Sequence, residues 1–233
     1  MKFEVAQRCL VGSAGQDRIF ARVFDDVAML ALADGAGGRA GGAEAAQIVV
    51  NEAAKVAQAV QNPRDANLWA SWLSEVDERI ENEPHAGETT AIIAAFGPDF
   101  VAGASVGDSS AWLISGDSWI DLTARQIAKP FLGQGATAVP FSARVNGQTL
   151  LLASDGLTKY ADAETLISIA RGENLERAAN ALIEAVRYAS GALPDDVSCI
   201  LCRAEEEKRS ESMAPRLGYT PRFLRAFLSR NKK

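Results

Sequence analysis

The order of the predicted elements indicates an α+β fold, in which sheets lie in the middle and helix pairs lie outside. An apolar run that ends in glycines is followed by two amphipathic stretches. Short apolar segments separated by glycine-containing turns come next, and two further helical stretches precede a last apolar segment. Helices and strands that are grouped in this way are typical of sheets covered by helices. The 233 residues are enough to bury a substantial core.

The first part of the chain predicts a buried strand followed by two helices. VAMLALA (27–33) is a continuous apolar run, as in a strand that is buried on both faces. Residues 40–60 are rich in alanine and have apolar residues at helical spacing, and residues 66–80 form a second amphipathic stretch. Two more strands are expected on either side of the turn GSAGQDR (12–18), which contains Asp17.

The second part of the chain predicts several short strands and two more helices. Gly-Pro-Asp and Gly-Asp turns separate the first four of these strands, which is typical of an antiparallel meander. We predict strands at 89–96, 100–106, 110–115, 118–122, 148–154 and 197–204, and helices near 162–170 and 174–190.

The charge of the chain is acidic in its body and basic in its tail. The formal net charge is −6, from 24 basic and 30 acidic side chains. Six Lys or Arg and no acid lie beyond residue 211, so residues 1–211 hold 18 basic and 30 acidic side chains. An acidic body argues against nucleic acid as a partner. No apolar run approaches the ~18 residues of a membrane span, and no signal peptide is recognisable, so we expect a cytoplasmic protein.

The cysteines do not indicate a disulfide framework or a zinc site. Cys199 and Cys202 match the spacing CxxC, but they lie in the last predicted strand. Side chains three residues apart in a strand point to opposite faces. We therefore predict that both thiols pack in the core.

Acidic residues from distant parts of the chain stand at the ends of predicted strands. Asp34 and Asp155 each follow an apolar strand, Asp195 and Asp196 precede the last strand, and Asp17 lies in the early turn. Mg²⁺ and Mn²⁺ prefer oxygen ligands, and a few carboxylates can hold two such ions ~3.5–4 Å apart. If these acids converge, they predict a metal centre. Each acid alone is also a common turn residue, and that alternative stays open.

Five short segments, taken in order, resemble the motifs of the metal-dependent protein phosphatases of type 2C, in their bacterial form. They are Asp34-Gly35-Ala36-Gly37-Gly38, Glu88-Thr89-Thr90-Ala91, Val106-Gly107-Asp108-Ser109, Ser154-Asp155-Gly156-Leu157 and Asp195-Asp196-Val197. Gly15-Gln16-Asp17 is similar to the early acidic turn of that family. The resemblance extends from about residue 3 to residue 203.

The resemblance implies a four-layer αββα sandwich, with two mainly antiparallel sheets flanked by helix pairs. It also implies hydrolysis of phosphoserine and phosphothreonine in proteins by a metal-activated water at a binuclear Mg²⁺ or Mn²⁺ centre. By position, Asp34 would bridge both ions, the carbonyl of Gly35 would bind one, and Asp155 and Asp195 would bind the other. Asp17 would orient metal-bound water.

The phosphate-binding arginine of the family has no counterpart at its usual position. Gly12 stands there. Arg39 and Arg18 are the candidates for a replacement, and Arg8 is a further alternative. Without a guanidinium fork, capture of the substrate phosphate would be weaker.

Other positions also differ from the family pattern. Gln16 replaces a glutamate, Ala36 replaces the histidine of many eukaryotic members, and the single histidine, His85, matches no catalytic motif. Between Thr123 and Phe131 the chain has no room for the family's Asp-His element and helical flap, so the ligand set for a third ion is incomplete. These differences leave an alternative open, namely a catalytically weak or inactive regulatory or binding module.

The chain is predicted to consist of a phosphatase-like domain (1–204) and a polar linker with a basic tail (205–233). In the tail, apolar residues share one helical stripe with arginines around it. Such a helix can contact a partner groove, an anionic membrane or the protein's own acidic body, and the sequence leaves these open. The expected substrate is a phosphoprotein, and the chain is expected to be a monomer.

Overall fold

A computed structural model describes residues 2–36 and 41–205 of the chain. The strands are β1 (Phe3–Leu10), β2 (Asp17–Phe24), β3 (Val27–Asp34), β4 (Ala91–Phe96), β5 (Phe100–Val106), β6 (Ser110–Ser115), β7 (Ser118–Asp121), β8 (Val139–Arg144), β9 (Thr149–Ala153) and β10 (Val197–Ala204). The helices are α1 (Gly42–Val56), α2 (Ala66–Glu81), α3 (Asp155–Thr158), α4 (Ala163–Ala170) and α5 (Leu175–Ala185).

The strands form two five-stranded sheets in which all neighbours are antiparallel. One sheet has the order β2-β3-β4-β5-β8 and the other has the order β1-β10-β9-β6-β7. The α+β prediction with sheets in the middle is therefore confirmed.

The packing of β3 shows why its sequence is apolar at every position. Leu30 and Leu32 pack between the two sheets, against residues such as Leu150 and Ile200 of the other sheet. The alternate residues of β3, Met29 among them, face α1 and α2. Since side chains alternate across a strand, a strand buried on both faces needs apolar residues throughout.

Helix pairs cover the two outer faces and complete the four layers. Helices α1 and α2 pack on the sheet that contains β3, and Trp69 of α2 is fully buried there. Helices α4 and α5 pack on the other sheet through a cluster that includes Leu166 and Leu182. The αββα sandwich implied by the family resemblance is thus confirmed.

The predicted meander is wrong, because its strands are shared between the two sheets. β4 and β5 form a hairpin in one sheet, whereas β6 and β7 form a hairpin in the other. β6 pairs with β7 and β9 rather than with β5, the strand that precedes it. β8 was not predicted, because its alternation of apolar and polar residues is weak. In the structure it pairs with β5.

Both cysteines of the CxxC pattern are buried, as predicted. Cys199 packs with the outer helix layer, whereas Cys202 packs between the sheets. The two thiols therefore lie on opposite faces of β10.

Neither of the described ranges contains a helix that is long and apolar enough to cross a membrane. The basic tail from residue 206 onward lies outside the described residues. The predicted domain boundary and the predicted amphipathic helix of the tail therefore stay predictions.

Candidate metal centre

Asp17 and Asp34 face each other across two paired strands. Asp17 was expected in a turn, but it is the first residue of β2, and it lies opposite Asp34, the last residue of β3. Directly opposed residues of an antiparallel pair have their side chains on the same face of the sheet. The pairing of β2 with β3 therefore brings together two acids that the sequence separates by sixteen intervening residues.

Two threonines fix the backbone of Asp34. The amide of Asp34 donates to Oγ1 of Thr90 at 3.1 Å, and Thr90 N donates to the Asp34 carbonyl at 2.9 Å. Thr89 Oγ1 donates to the same carbonyl at 3.0 Å. Thr90 Oγ1 lies 2.9 Å from Ser109 Oγ, and all three hydroxyl residues are buried. The motifs at residues 88–91 and 106–109 thus position Asp34.

Glycines let the segment with Asp155 contact the segment with Asp195 and Asp196. Asp155 follows β9 and begins α3. A Cβ on Gly156 would lie only 1.9 Å from the carbonyl oxygen of Asp196. Only glycine permits such a close backbone approach.

Asp195 and Asp196 have different roles in the structure. Asp195 Oδ1 accepts a hydrogen bond from Ser13 Oγ at 2.8 Å. Asp196 is buried and accepts three backbone hydrogen bonds, from Gly12 and Ser13 at 2.9 Å and from Gln16 at 2.7 Å. Burial would raise the pKa of Asp196, but the hydrogen bonds from Gln16, Ser13 and Gly12 outweigh it and lower the pKa. Asp196 therefore holds the loop 12–16 in place.

Two of the acids at the strand ends, Asp17 and Asp34, have raised pKa values. Burial, followed by the negative charges of Asp17 and Asp155, raises the pKa of Asp34 far above its ordinary value. Burial also raises the pKa of Asp17, against a smaller opposing effect of the Ser198 hydroxyl, which is nearby but forms no hydrogen bond within the part of the chain that the structure describes. No described residue donates a hydrogen bond to either carboxylate oxygen of Asp17, which is 2 % exposed. A positive charge at this cluster would relieve these costs.

The arrangement fits an ion that keeps much of its water. Within the described ranges, no three His, Cys, Asp or Glu side chains converge closely enough to enclose a metal ion. Asp34 interacts with both Asp17 and Asp155, while Asp195 lies beside Gly156. Mg²⁺ is usually held by one or two carboxylates and several waters rather than by a complete protein cage. The unpartnered oxygens of Asp17 and the carboxylate chemistry of the cluster therefore fit Mg²⁺ or Mn²⁺.

The two described candidates for phosphate binding, Arg18 and Arg8, contact groups other than the carboxylates of the clustered acids. Arg18 donates to the carbonyls of Gly15 at 2.9 Å and Asp17 at 2.7 Å, and to Gln47 at 3.0 Å. Arg8 is bound to residues of α5. Arg39 lies outside the described residues. A phosphate-binding role for Arg18 or Arg39 therefore stays a prediction.

Lys159 is a residue near the site that the sequence analysis missed. Its ammonium group contacts Asp155 Oδ2 and lies 3.9 Å from Asp108 Oδ2. Spacing of four residues between an acid and a lysine on a helical turn was the available signal. This spacing alone does not place Lys159 at the site, because the position of Asp108 next to its ammonium group is set only by the fold.

The connection between β7 and β8 (122–138) contains turns, irregular segments and one isolated β-bridge, and it has no helix. Leu132 forms a β-bridge with Thr89, and Asp77 of α2 accepts hydrogen bonds from the amides of Gly133 and Ala136. Asp77 thereby fixes this connection close to the Thr89 motif. His85 is exposed.

Gly12→Ala is expected to lower the free energy of unfolding by about 3 kcal/mol, because overpacking of this kind displaces backbone. Its Cβ would lie 1.8 Å from the carbonyl oxygen of Asp195. Urea unfolding of the two proteins measures the effect. Gly116→Ala is the matched control, since Gly116 has a φ of +56° but no atom within 4 Å of its Cβ position. Equal destabilisation by the two changes would contradict the assigned contact.

Residues 7–187 match the family model of Protein phosphatase 2C, which is well over half of the chain. The chain belongs to the protein phosphatase 2C family. This confirms the relationship that the five motifs predicted. No curated protein matches the sequence.

Solved structures share the fold of this phosphatase 2C family member. Serine/threonine phosphatase Stp1 from Staphylococcus aureus is 20% identical, with a TM-score of 0.74, over 88% of this chain and 96% of that one. The catalytic domain of the phosphatase PstP, solved with two manganese ions, is 20% identical with a TM-score of 0.68, over 86% and 97%. PppA, a regulatory component of T6SS in Pseudomonas aeruginosa, is 18% identical with a TM-score of 0.70, over 88% and 99%.

Proposed function

We propose that this phosphatase 2C family member hydrolyses phosphoserine and phosphothreonine in proteins, with Mg²⁺ or Mn²⁺ at the acid cluster. The observation that carries the proposal is the juxtaposition of Asp17, Asp34 and Asp155, in which the Asp17 carboxylate has no hydrogen-bond donor among the described residues. The two manganese ions of PstP, which has a similar fold, support the choice of metal and the number two.

The proposed roles are those that the family resemblance implies for each residue. Asp34, whose backbone is held by Thr89 and Thr90, would hold both ions from the end of β3. The Gly35 carbonyl would hold one ion, and Asp155 and Asp195 would hold the other. Two such ions, when bound, lower the pKa of a shared water and clamp a phosphoryl oxygen.

Asp17 is proposed to orient the attacking water. Its two carboxylate oxygens have no described donor, so both are free to accept hydrogen bonds from a water in the site. The position after Gly35 is Ala36, and the only histidine of the chain is exposed. Proton transfer in the proposed reaction therefore uses water and carboxylates rather than an imidazole.

The test is hydrolysis of a phosphothreonine peptide and of p-nitrophenyl phosphate with Mn²⁺, with Mg²⁺ and with EDTA. We expect turnover with metal only, and a loss of at least about a hundredfold in Asp155→Asn, which corresponds to the ~2.7 kcal/mol of a single electrostatic contact in catalysis. The matched control is Asp162→Asn, because Asp162 is an exposed N-cap of α4 and Asn caps equally well. Metal-independent turnover, or full activity of Asp155→Asn, would contradict the proposal.

A second candidate function is a metal-binding regulatory module with little catalysis. It is favoured by Gly12, where the contact with Asp195 leaves no space for the family's arginine. Calorimetry that detects Mn²⁺ binding, together with no turnover of any phosphopeptide, would support this candidate. Brisk Mn²⁺-dependent turnover would exclude it.

A further inference from the structure

We propose that Lys159 is a built-in cation that occupies the Asp108–Asp155 side of the acid cluster and keeps a divalent ion out of that side. The inference rests on the proposed function, since it takes the acid cluster to be a divalent-cation centre. In this inference, Lys159 limits the number of divalent ions that the centre binds.

The backbone places the Lys159 ammonium group at this position. Asp155 begins the single turn of α3, and Lys159 follows the turn directly. The amide of Lys159 donates to the carbonyl of Asp155 at 2.8 Å, which closes the turn. Four residues of separation put the two side chains on the same face. The contact between the ammonium group and Asp155 Oδ2 therefore follows from local geometry.

A second carboxylate completes the surroundings of the ammonium group. Asp108 comes from the turn between β5 and β6, and its Oδ2 lies 3.9 Å from Lys159 Nζ. Among the described basic side chains, Lys159 alone is within salt-bridge distance of Asp108 or Asp155. The ammonium group thus links two acids from distant parts of the chain.

The position of Lys159 divides the acid cluster into two sides. On one side, Asp34 interacts with Asp155 and Asp17 and has no described cation in contact. On the other side, the ammonium group takes Oδ2 of Asp155. A carboxylate has two oxygens, so Asp155 can serve an ion on the Asp34 side while its second oxygen holds the lysine. A divalent ion between Asp108 and Asp155 would have to displace a positive charge.

The test is a calorimetric titration of the full chain with Mn²⁺, without substrate. Lys159→Gln is expected to bind one more Mn²⁺ per chain than the wild type does. Lys159→Arg retains the charge and is expected to bind the wild-type number. The double variant Asp108→Asn with Lys159→Gln is expected to return to the wild-type number, because the added site has lost one of its two acids.

The matched control is Lys55→Gln. Lys55 pairs with Glu52 on α1, and its side chain is 64 % exposed, compared with 58 % for Lys159. We expect the wild-type number of ions in this variant, so a general effect of lost positive charge is separated from the local one.

The outcomes separate this inference from the proposed function. If the wild type binds Mn²⁺ and Lys159→Gln binds the same number, the role of Lys159 is wrong and the metal centre stands. If neither protein binds Mn²⁺, the metal centre and the inference are both wrong. An additional ion in Lys159→Gln that persists when Asp108 is also changed would place the new site elsewhere and overturn the inference.

Discussion

Asp34→Asn is expected to lower phosphothreonine turnover by at least about a thousandfold and to stabilise the metal-free protein. The loss of activity follows because Asp34 is the proposed bridge between two ions, and a thousandfold corresponds to about 4 kcal/mol of transition-state stabilisation. The gain in stability follows because Asp34 is crowded by Asp17 and Asp155. Removing one of three neighbouring acids should raise the free energy of unfolding by about 1 kcal/mol in EDTA.

Turnover assays and urea unfolding, with EDTA and with Mn²⁺, measure both effects. A ligand that binds only the folded state stabilises it, so Mn²⁺ should stabilise the wild type and have little effect on Asp34→Asn. Asp65→Asn is the control, because Asp65 caps α2 at the surface and Asn retains the cap. A variant that is less stable in EDTA and still stabilised by Mn²⁺ would contradict the assigned role of Asp34.

Asp196→Ala is expected to cost about 3 kcal/mol of stability and most of the activity. Its carboxylate accepts the amides of Gly12, Ser13 and Gln16, and hydrogen bonds to a charged group are worth about 1.5–3 kcal/mol each, without simple additivity. The loop 12–16 leads directly to Asp17, so loss of its anchor should disturb the site although Asp196 is not a proposed ligand.

Urea unfolding at neutral and at acid pH tests this second expectation. Because the folded-state pKa of Asp196 is lowered, its contribution is complete above the ordinary Asp pKa of about 3.9 and is lost as the pH falls through the folded pKa. The difference between wild type and Asp196→Ala should therefore shrink in acid. Asp162→Ala, which removes an exposed cap of α4, should cost only about 1 kcal/mol. Similar costs for the two variants would contradict the anchoring role.

Local patterns in the sequence were sufficient to predict much of the fold. The apolar run of β3 predicted a strand buried on both faces, and alternation in β10 predicted that Cys199 and Cys202 lie on opposite faces. The assignment of strands to sheets could not be predicted in this way. β6 belongs with β9, and β8 pairs with β5, because partners distant in sequence select the pairing.

The acids of the candidate site could be predicted from the sequence. The contacts that position these acids could be predicted less well. Asp34 and Asp155 were recognisable from strand ends and motifs. The different contacts of Asp195 and Asp196 were not recognisable, since they depend on which carboxylate binds the backbone amides of the loop 12–16. The place of Lys159 depends in the same way on the position of Asp108. Such contacts join segments that only the folded chain brings together.

The most direct measurement is an anomalous difference map from a crystal of this protein soaked with Mn²⁺. The proposed centre predicts two peaks ~3.5–4 Å apart, with Asp34 between them and Asp155 on one. Absence of any peak at Asp34, or binding of Mn²⁺ only at other acids, would contradict the central claim that the acids at these strand ends form a two-ion centre.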